Sequence, residues 1–300
     1  MLDNAKILVE MAPMLNVQLI LDGLFIGSVY VLIAYGLALV WGVMNVKNLC
    51  QGDFAMIGGY MAWSAQDKLG VHPLLTMPVV MVLMFGFGWV IYRLIIRRVV
   101  YRDMFTSLLA TFGLAIFLQQ VMNQIFGPEV QTAHSGLPTH QWGMLTIADI
   151  RVVGFFLALI LAAIVVVFMK YSRMGQAMRA TAQDTRAAKV MGIDTERVYA
   201  FTYALNAAIC GAAGVLIAMI WVIQPFYGLA NSLRAFVIVT AAGLGNLPGV
   251  IAMGLGISVV EQYGGFVLGA QFQQAIVVSM LLLVLIVRQI MLSRHRQAVV

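Results

Sequence analysis

At least seven apolar runs that reach or approach the roughly 20 residues needed to cross a bilayer as helix follow one another along this 300-residue chain. A run of that length, with few charges, has no use for water at its flanks and finds its solvent in lipid. None of the runs shows the alternating ten-residue pattern of a membrane barrel. Composition points the same way: 62% of residues are hydrophobic, 10% are charged and the mean hydropathy is +0.94, whereas soluble domains carry roughly 25% charged residues. The predicted fold is all-α, a polytopic transmembrane helical bundle of about eight spans. They fall at 17–43, 46–64, 74–96, 104–126, 151–170, 198–223, an interrupted region at 233–260, and 266–290. The whole of 1–300 reads as one transmembrane domain with a cytoplasmic loop at 171–197.

A net charge of +6 would admit nucleic acid as a partner, but the basic residues sit in short loops beside apolar runs, where they set orientation instead. One side gathers Lys47, Arg93, Arg97, Arg98, Arg102, Lys170, Arg173, Arg179, Arg186, Lys189, Arg197, Arg288, Arg294 and Arg296; the other keeps Lys6, Lys68, Arg151 and Arg234. The positive-inside rule then places the N-terminus outside and the C-terminus in the cytoplasm. The opening MLDNAKILVE has acids and no basic start, so no removable signal peptide is expected. Cys50 and Cys210 lie far apart in sequence, in or beside apolar segments, and read as small packing residues rather than a disulfide.

Two interruptions break the apolar pattern. With the N-terminus outside, the region 233–260 must enter and leave on one side. Its arms, LRAFVIVTAAG and VIAMGLGISVV, are each too short to cross a core near 30 Å thick, since a dozen helical residues cover about 18 Å. A re-entrant or half-helix pair is predicted, with Gly243 and, in LGNLPG, Gly245, Asn246, Pro248 and Gly249 forming a pathway-lining turn; a surface turn of a plain helix hairpin is the alternative. The second interruption, NVKNLCQGDF, puts Asn48, Gln51, Gly52 and Asp53 where polar groups are costly and face protein or water. Ala55, Gly58 and Gly59 follow and would let a neighbouring backbone approach closely. A solvated cytoplasmic turn is the alternative here. Two broken segments in different halves of a chain are the pattern by which half-helices build a substrate site.

Between two of the spans stands RMGQAMRATAQDTRAAKVMGID, from Arg173 to Asp194, far longer than a connection requires. From Gln176 to Met191 the spacing predicts a short helix, with Ala177, Ala180, Ala187, Ala188 and Met191 on one face, Asp184 among them, and Arg179, Arg186 and Lys189 opposite. Gly192 supplies a stop and Asp194 or Thr195 a cap for the next helix. A helix resting on lipid would want bulky apolar residues on its buried side. An alanine face around one carboxylate suits a shallow groove on another protein; lipid headgroups or a plain linker are the other readings.

The stretches GQAMRATAQDTRAAKVMGID, NLCQGDFAMIGGY and AGLGNLPG, in that spacing, resemble the permease subunits of bacterial branched-chain amino-acid ABC importers, the hydrophobic amino-acid uptake family, over about residues 17–290. Cys50-Gln51 departs from the pattern, where relatives often have Ala followed by His or Gln. The resemblance implies a cytoplasmic coupling element made of Gly175, Arg179, Ala180, Asp184, Ala187, Ala188 and Gly192. It also implies partners: ATP-binding subunits, a second permease subunit, homologous or identical, and a substrate-binding protein, all at a bacterial inner membrane. No Lys in this chain follows a Gly, so the G-x-x-x-x-G-K-[ST] phosphate loop is missing and ATP with its magnesium belongs on a partner. A passive channel or secondary transporter, which would need no coupling element, is the rival reading.

Enzyme chemistry finds little support. His72, His134, His140 and His295 are scattered and have no Cys or carboxylate at metal-ligand spacing. Asp22, Gln119, Gln120, Asn206 and Glu261 are polar groups at membrane depth, each either part of a pathway or an interhelical hydrogen bond.

Overall fold

The computed structural model describes residues 12–142, 145–243 and 245–297; the opening segment, with Lys6, lies outside them, as does Leu244 of the LGNLPG turn. Eleven helices follow among the described residues. They are α1 (Ala12–Met44), α2 (Gln51–Leu69), α3 (Pro73–Ile91), α4 (Met104–Phe126), α5 (Asp149–Tyr171), α6 (Arg173–Gln183), α7 (Thr185–Val190), α8 (Thr195–Ile220), α9 (Gly228–Ala242), α10 (Leu247–Leu268) and α11 (Gln273–Gln297). A π turn at Tyr92–Ile96 and a further turn at Arg97–Val99 prolong α3. A small antiparallel hairpin, β1 (Thr139–Trp142) and β2 (Leu145–Ala148), precedes α5 and pairs Thr139 with Ala148.

Seven helices are long and apolar enough to cross a membrane: α1, α3 with its extension, α4, α5, α8, α10 and the stretch ending in α11. α2 carries Asp53 near its start and Asp67 and Lys68 near its end and is too polar to join them, which accounts for the difference from the eight spans expected. α1 and α8 form the centre, apolar all round and almost wholly enclosed. α2 and α3 pack on α8, α10 and α5 on α1, and α9 on α1, α2 and α10. The outer faces of α3, α4, α5 and α11 stay apolar and uncovered, as surfaces for lipid must be.

Small residues set the closest crossing. A Cβ on Gly214 would overlap the carbonyl of Ala55, and one on Gly58 would come within 2.5 Å of the carbonyl of Gly211. The run of Ala55, Gly58 and Gly59 therefore does what such runs do in membranes, letting two backbones touch.

Both interruptions are real breaks. α1 stops at Asn45, whose φ of 53° no helix tolerates, and six residues pass before α2 begins. α9 ends at Gly243 (φ 86°) and α10 starts at Leu247. The Tyr35 hydroxyl donates to the Leu247 carbonyl at 2.9 Å. Tyr35 lies nine residues before the end of α1, so this bend stops about 14 Å short of that end. α1 in turn touches α6. α9, at 15 residues, is thus a half-helix, whereas α10, at 22 residues, is long enough to cross, so the expectation of two short arms holds only for the first; Gly245, Asn246 and Pro248 of the turn between them are exposed.

The stretch 173–194 corrects one expectation. It is not a single helix over 176–191 but two, α6 and α7, broken at Asp184. Asp184 takes extended angles (φ −151°, ψ 107°) and its Oδ1 accepts from the amides of Arg186 at 2.8 Å and Ala187 at 3.0 Å. A carboxylate one bond from the backbone competes for the amides that a continuing helix would need, and capping wins. Asp184 therefore does not lie within an alanine face.

Candidate functional site

The α6–α7 element hangs on the end of the bundle opposite the hairpin. Ser172 caps α6 through the Gly175 amide at 2.8 Å. Gly175 is pressed so closely on the carbonyls of Phe168 and Met169 that a side chain would strike them. Met178, Thr181 and Ala188 also face the bundle and are buried. Gly192 (φ 83°) closes α7: the Ile193 amide reaches back to the Ala188 carbonyl at 3.0 Å, the arrangement that favours glycine. Asp194 then caps α8 through the Arg197 amide. Of the residues that the sequence assigned to coupling, Gly175 and Ala188 thus fix the element to the bundle. Arg179, Asp184, Ala187 and Gly192 are exposed and Ala180 is half-buried. The tip also shows two apolar side chains to solvent, Val190 at 86% and Met191 at 80% exposure. The amides at its cap hold the Asp184 carboxyl below the ordinary carboxylate range. Beside the element, Glu196 gathers Arg97 at 3.0 Å and the Tyr101 hydroxyl at 2.7 Å, which ties the end of α3 to the start of α8.

At the break before α2, Asn48, Gln51, Gly52 and Asp53 are all fully enclosed. Neighbouring helices satisfy the unwound backbone: Thr111 of α4 takes the Leu49 amide at 3.3 Å and donates to the Lys47 carbonyl at 3.0 Å, while Ser232 of α9 takes the Gly52 amide at 2.9 Å. Gln119 donates to Asp53 Oδ1 at 2.9 Å. Among the described residues, Asp53 Oδ2, both amide atoms of Gln51 and Nδ2 of Asn48 have no hydrogen-bond partner, although all are buried. Buried polar atoms usually find partners, so each of these atoms has hydrogen-bonding capacity to spare.

At the other bend, Asn246 caps α10 through the Gly249 amide at 3.0 Å and donates to the Ala242 carbonyl at 3.3 Å. Gly245, Asn246 and Pro248 are exposed, Gly243 and Gly249 half-buried.

A cavity of about 690 Å³ occupies the hairpin end of the bundle, and none of the nine pathway residues named from sequence lines it. Asp22 and Glu261, noted only as polar groups at depth, do. Asp22 pairs with Arg151 at the rim. Glu261 pairs with Arg234, and these two side chains are only 4% and 17% exposed. Arg234 also lies over the Tyr30 ring, 5.2 Å from its centroid. Tyr30 stands 18 residues into α1, about 27 Å along it, so the cavity floor is near mid-bundle. The missed signal was a pair of opposite charges, Arg234 in the first apolar arm and Glu261 directly after the second; either alone demands a partner at that depth.

Membrane-length helices around the shorter α9, with a polar cavity reaching to buried charges, define a membrane transport protein. Residues 19–287 match the family model described as branched-chain amino acid transport system / permease component. The chain belongs to that family. It is 30% identical over 286 residues to the high-affinity branched-chain amino acid transport system permease protein LivH of Escherichia coli K12, covering 90% of this chain and 92% of that one. The corresponding protein BraD of Pseudomonas aeruginosa is 29% identical, over 90% and 93%. A probable LivH of Methanocaldococcus jannaschii is 28% identical over 269 residues, 86% and 84% of the two chains.

Proposed function

We propose that this chain is the permease subunit of an ATP-driven importer of branched-chain or chemically similar amino acids, working by alternating access in a bacterial inner membrane. The hairpin end then faces outward and the α6–α7 end the cytoplasm, in line with the distribution of Lys and Arg. The observation that carries the ATP-coupled reading is the α6–α7 element itself, anchored to the bundle through Gly175, Met178, Thr181 and Ala188 and offering Val190 and Met191 to solvent. Val190 and Met191, adjacent on a tip with a capped start and a glycine stop, offer an apolar contact to a protein partner. A passive channel has no use for it.

In this reading a separate ATPase subunit holds ATP and magnesium and receives the tip formed by Ala187, Val190, Met191 and Gly192. Closure of two such ATPases moves α6 and α7. Because Gly175 seats α6 on the end of α5 and Asp194 joins α7 to α8, that movement passes into two helices of the bundle. A second permease, identical or homologous, completes the translocation path between the two bodies, and a binding protein delivers solute to the hairpin end. The turn between α9 and α10 and the enclosed polar break before α2 are then parts of the moving path, with Asn48, Gln51, Asp53 and Asn246 meeting solute or water in other states of the cycle. A ligand biases such a cycle only through unequal affinity for its states.

A cysteine at Val190 tests the docking. In membranes carrying the whole system, V190C should form a cross-link to the ATPase subunit with a short bifunctional thiol reagent. Cross-linking to lipid or to nothing, with the ATPase present and active, would contradict the proposal.

A further inference from the structure

The floor of the hairpin-end cavity contains two side chains whose hydrogen-bonding capacity is half used. Arg234 on α9 donates from Nε at 2.9 Å and from Nη2 at 2.8 Å, and both bonds end on one atom, Oε1 of Glu261 on α10. A guanidinium presents five donors in a planar fork and a carboxylate two acceptor oxygens. Arg–carboxylate pairs are frequently bidentate, with two parallel N–H···O bonds that use both oxygens. Here Nη1 of Arg234 and Oε2 of Glu261 have no partner among the described residues. Tyr30 fixes the plane of the guanidinium from one side. Both charged residues line the cavity, and so do the apolar side chains of Ile26, Ile217, Trp221 and Phe226.

We infer that Arg234 and Glu261 form a subsite for the zwitterionic head of an α-amino acid, its carboxylate on Arg234 Nη1 and its ammonium on Glu261 Oε2, with the side chain against the neighbouring apolar wall. The inference rests on the amino-acid import proposed above and supplies the recognition chemistry for it. Charges at this depth are costly to desolvate, and a hydrophobic pair would join the helices at least as well. A zwitterion brings one charge of each sign and leaves the site neutral. A free amine or a free acid of the same shape leaves one net charge in a low-dielectric site, where it is strongly disfavoured. The subsite therefore discriminates by requiring both groups on one molecule.

The test uses the complete transporter with its ATPase subunits but without the binding protein, so that the binding protein's own selectivity does not intervene. Ala230, which lines the same cavity, is replaced by cysteine; the native Cys50 and Cys210 are buried and give little background. L-leucine should slow labelling of A230C by a water-soluble thiol reagent at least about fivefold, while isopentylamine and 4-methylpentanoate, which each lack one of the two charged groups, should not. Adding Glu261→Gln or Arg234→Gln should keep the labelling rate and abolish protection. Equal protection by all three compounds, or protection by none, overturns the inference, as does protection that survives both substitutions. ATP-dependent leucine uptake by the same complex with its binding protein is measured in parallel. Uptake without protection sinks the subsite alone; absence of uptake of any amino acid sinks the transport reading beneath it.

Discussion

Arg234 and Glu261 show at the scale of single residues how a membrane interior handles charge. Each stands in an otherwise apolar arm, and each is tolerable because the other is within 2.8 Å. Removing one partner leaves the other buried and uncompensated, a loss of about 3 kcal/mol or more. Glu261→Ala is therefore expected to lower stability by about that amount, and the double change Arg234→Met with Glu261→Leu to recover most of it without recovering transport. The two buried native thiols give the measurement, since a thiol-reactive dye reports them only as the protein opens. Equal stability of the single and double variants would mean that the pair is not the issue. From sequence, Glu261 was visible as a polar group at depth, but its partner was not, because pairing across two helices is a property of three dimensions. Asp53 was read from its place in a broken apolar pattern, whereas Ser232 and Thr111, which satisfy the unwound backbone around it, look like any small polar residue in a span.

The elements were legible where one periodicity ruled and obscure where two local preferences competed. Long apolar runs gave α1, α3, α4, α5 and α8 directly, and the short first arm gave α9 through its length; α10 is longer than its arm because its helix runs on through Glu261 and Gln262 to Leu268. The stretch after α5 misled because alanine spacing favours one helix, while Asp184 caps a new one. That cap also fixes a pH dependence. The folded-state carboxyl is held below its ordinary value by two amides, so its stabilising contribution is fully present above the ordinary carboxylate range and fades only as pH falls through the lower folded value. Amide exchange in 185–190, corrected for its intrinsic pH dependence, should accordingly show no step between about pH 5 and 8. A loss of protection centred in that window would contradict the assignment. The β1–β2 hairpin had no sequence signal strong enough to stand out beside the spans.

At the scale of the molecule, the class was written in the number and length of the apolar runs, and the family in three short motifs at fixed spacing. The cavity was not written there. It lies between α1, α8, α9 and α10 at the hairpin end, a property of their packing that no single segment carries. The same arrangement puts the cavity and the α6–α7 tip at opposite ends of two central helices, so a push at one end has a rigid path to the other. The central claim, that an external ATPase drives this body through that tip, is tested most directly by reconstituting the permease pair in vesicles with and without its ATPase subunits, binding protein present throughout. Leucine accumulation that requires both the ATPase and ATP, and that falls at least about tenfold when Gly192 is replaced by a bulky charged residue, is the result expected. Leucine moving at the full rate through the permease alone would contradict it.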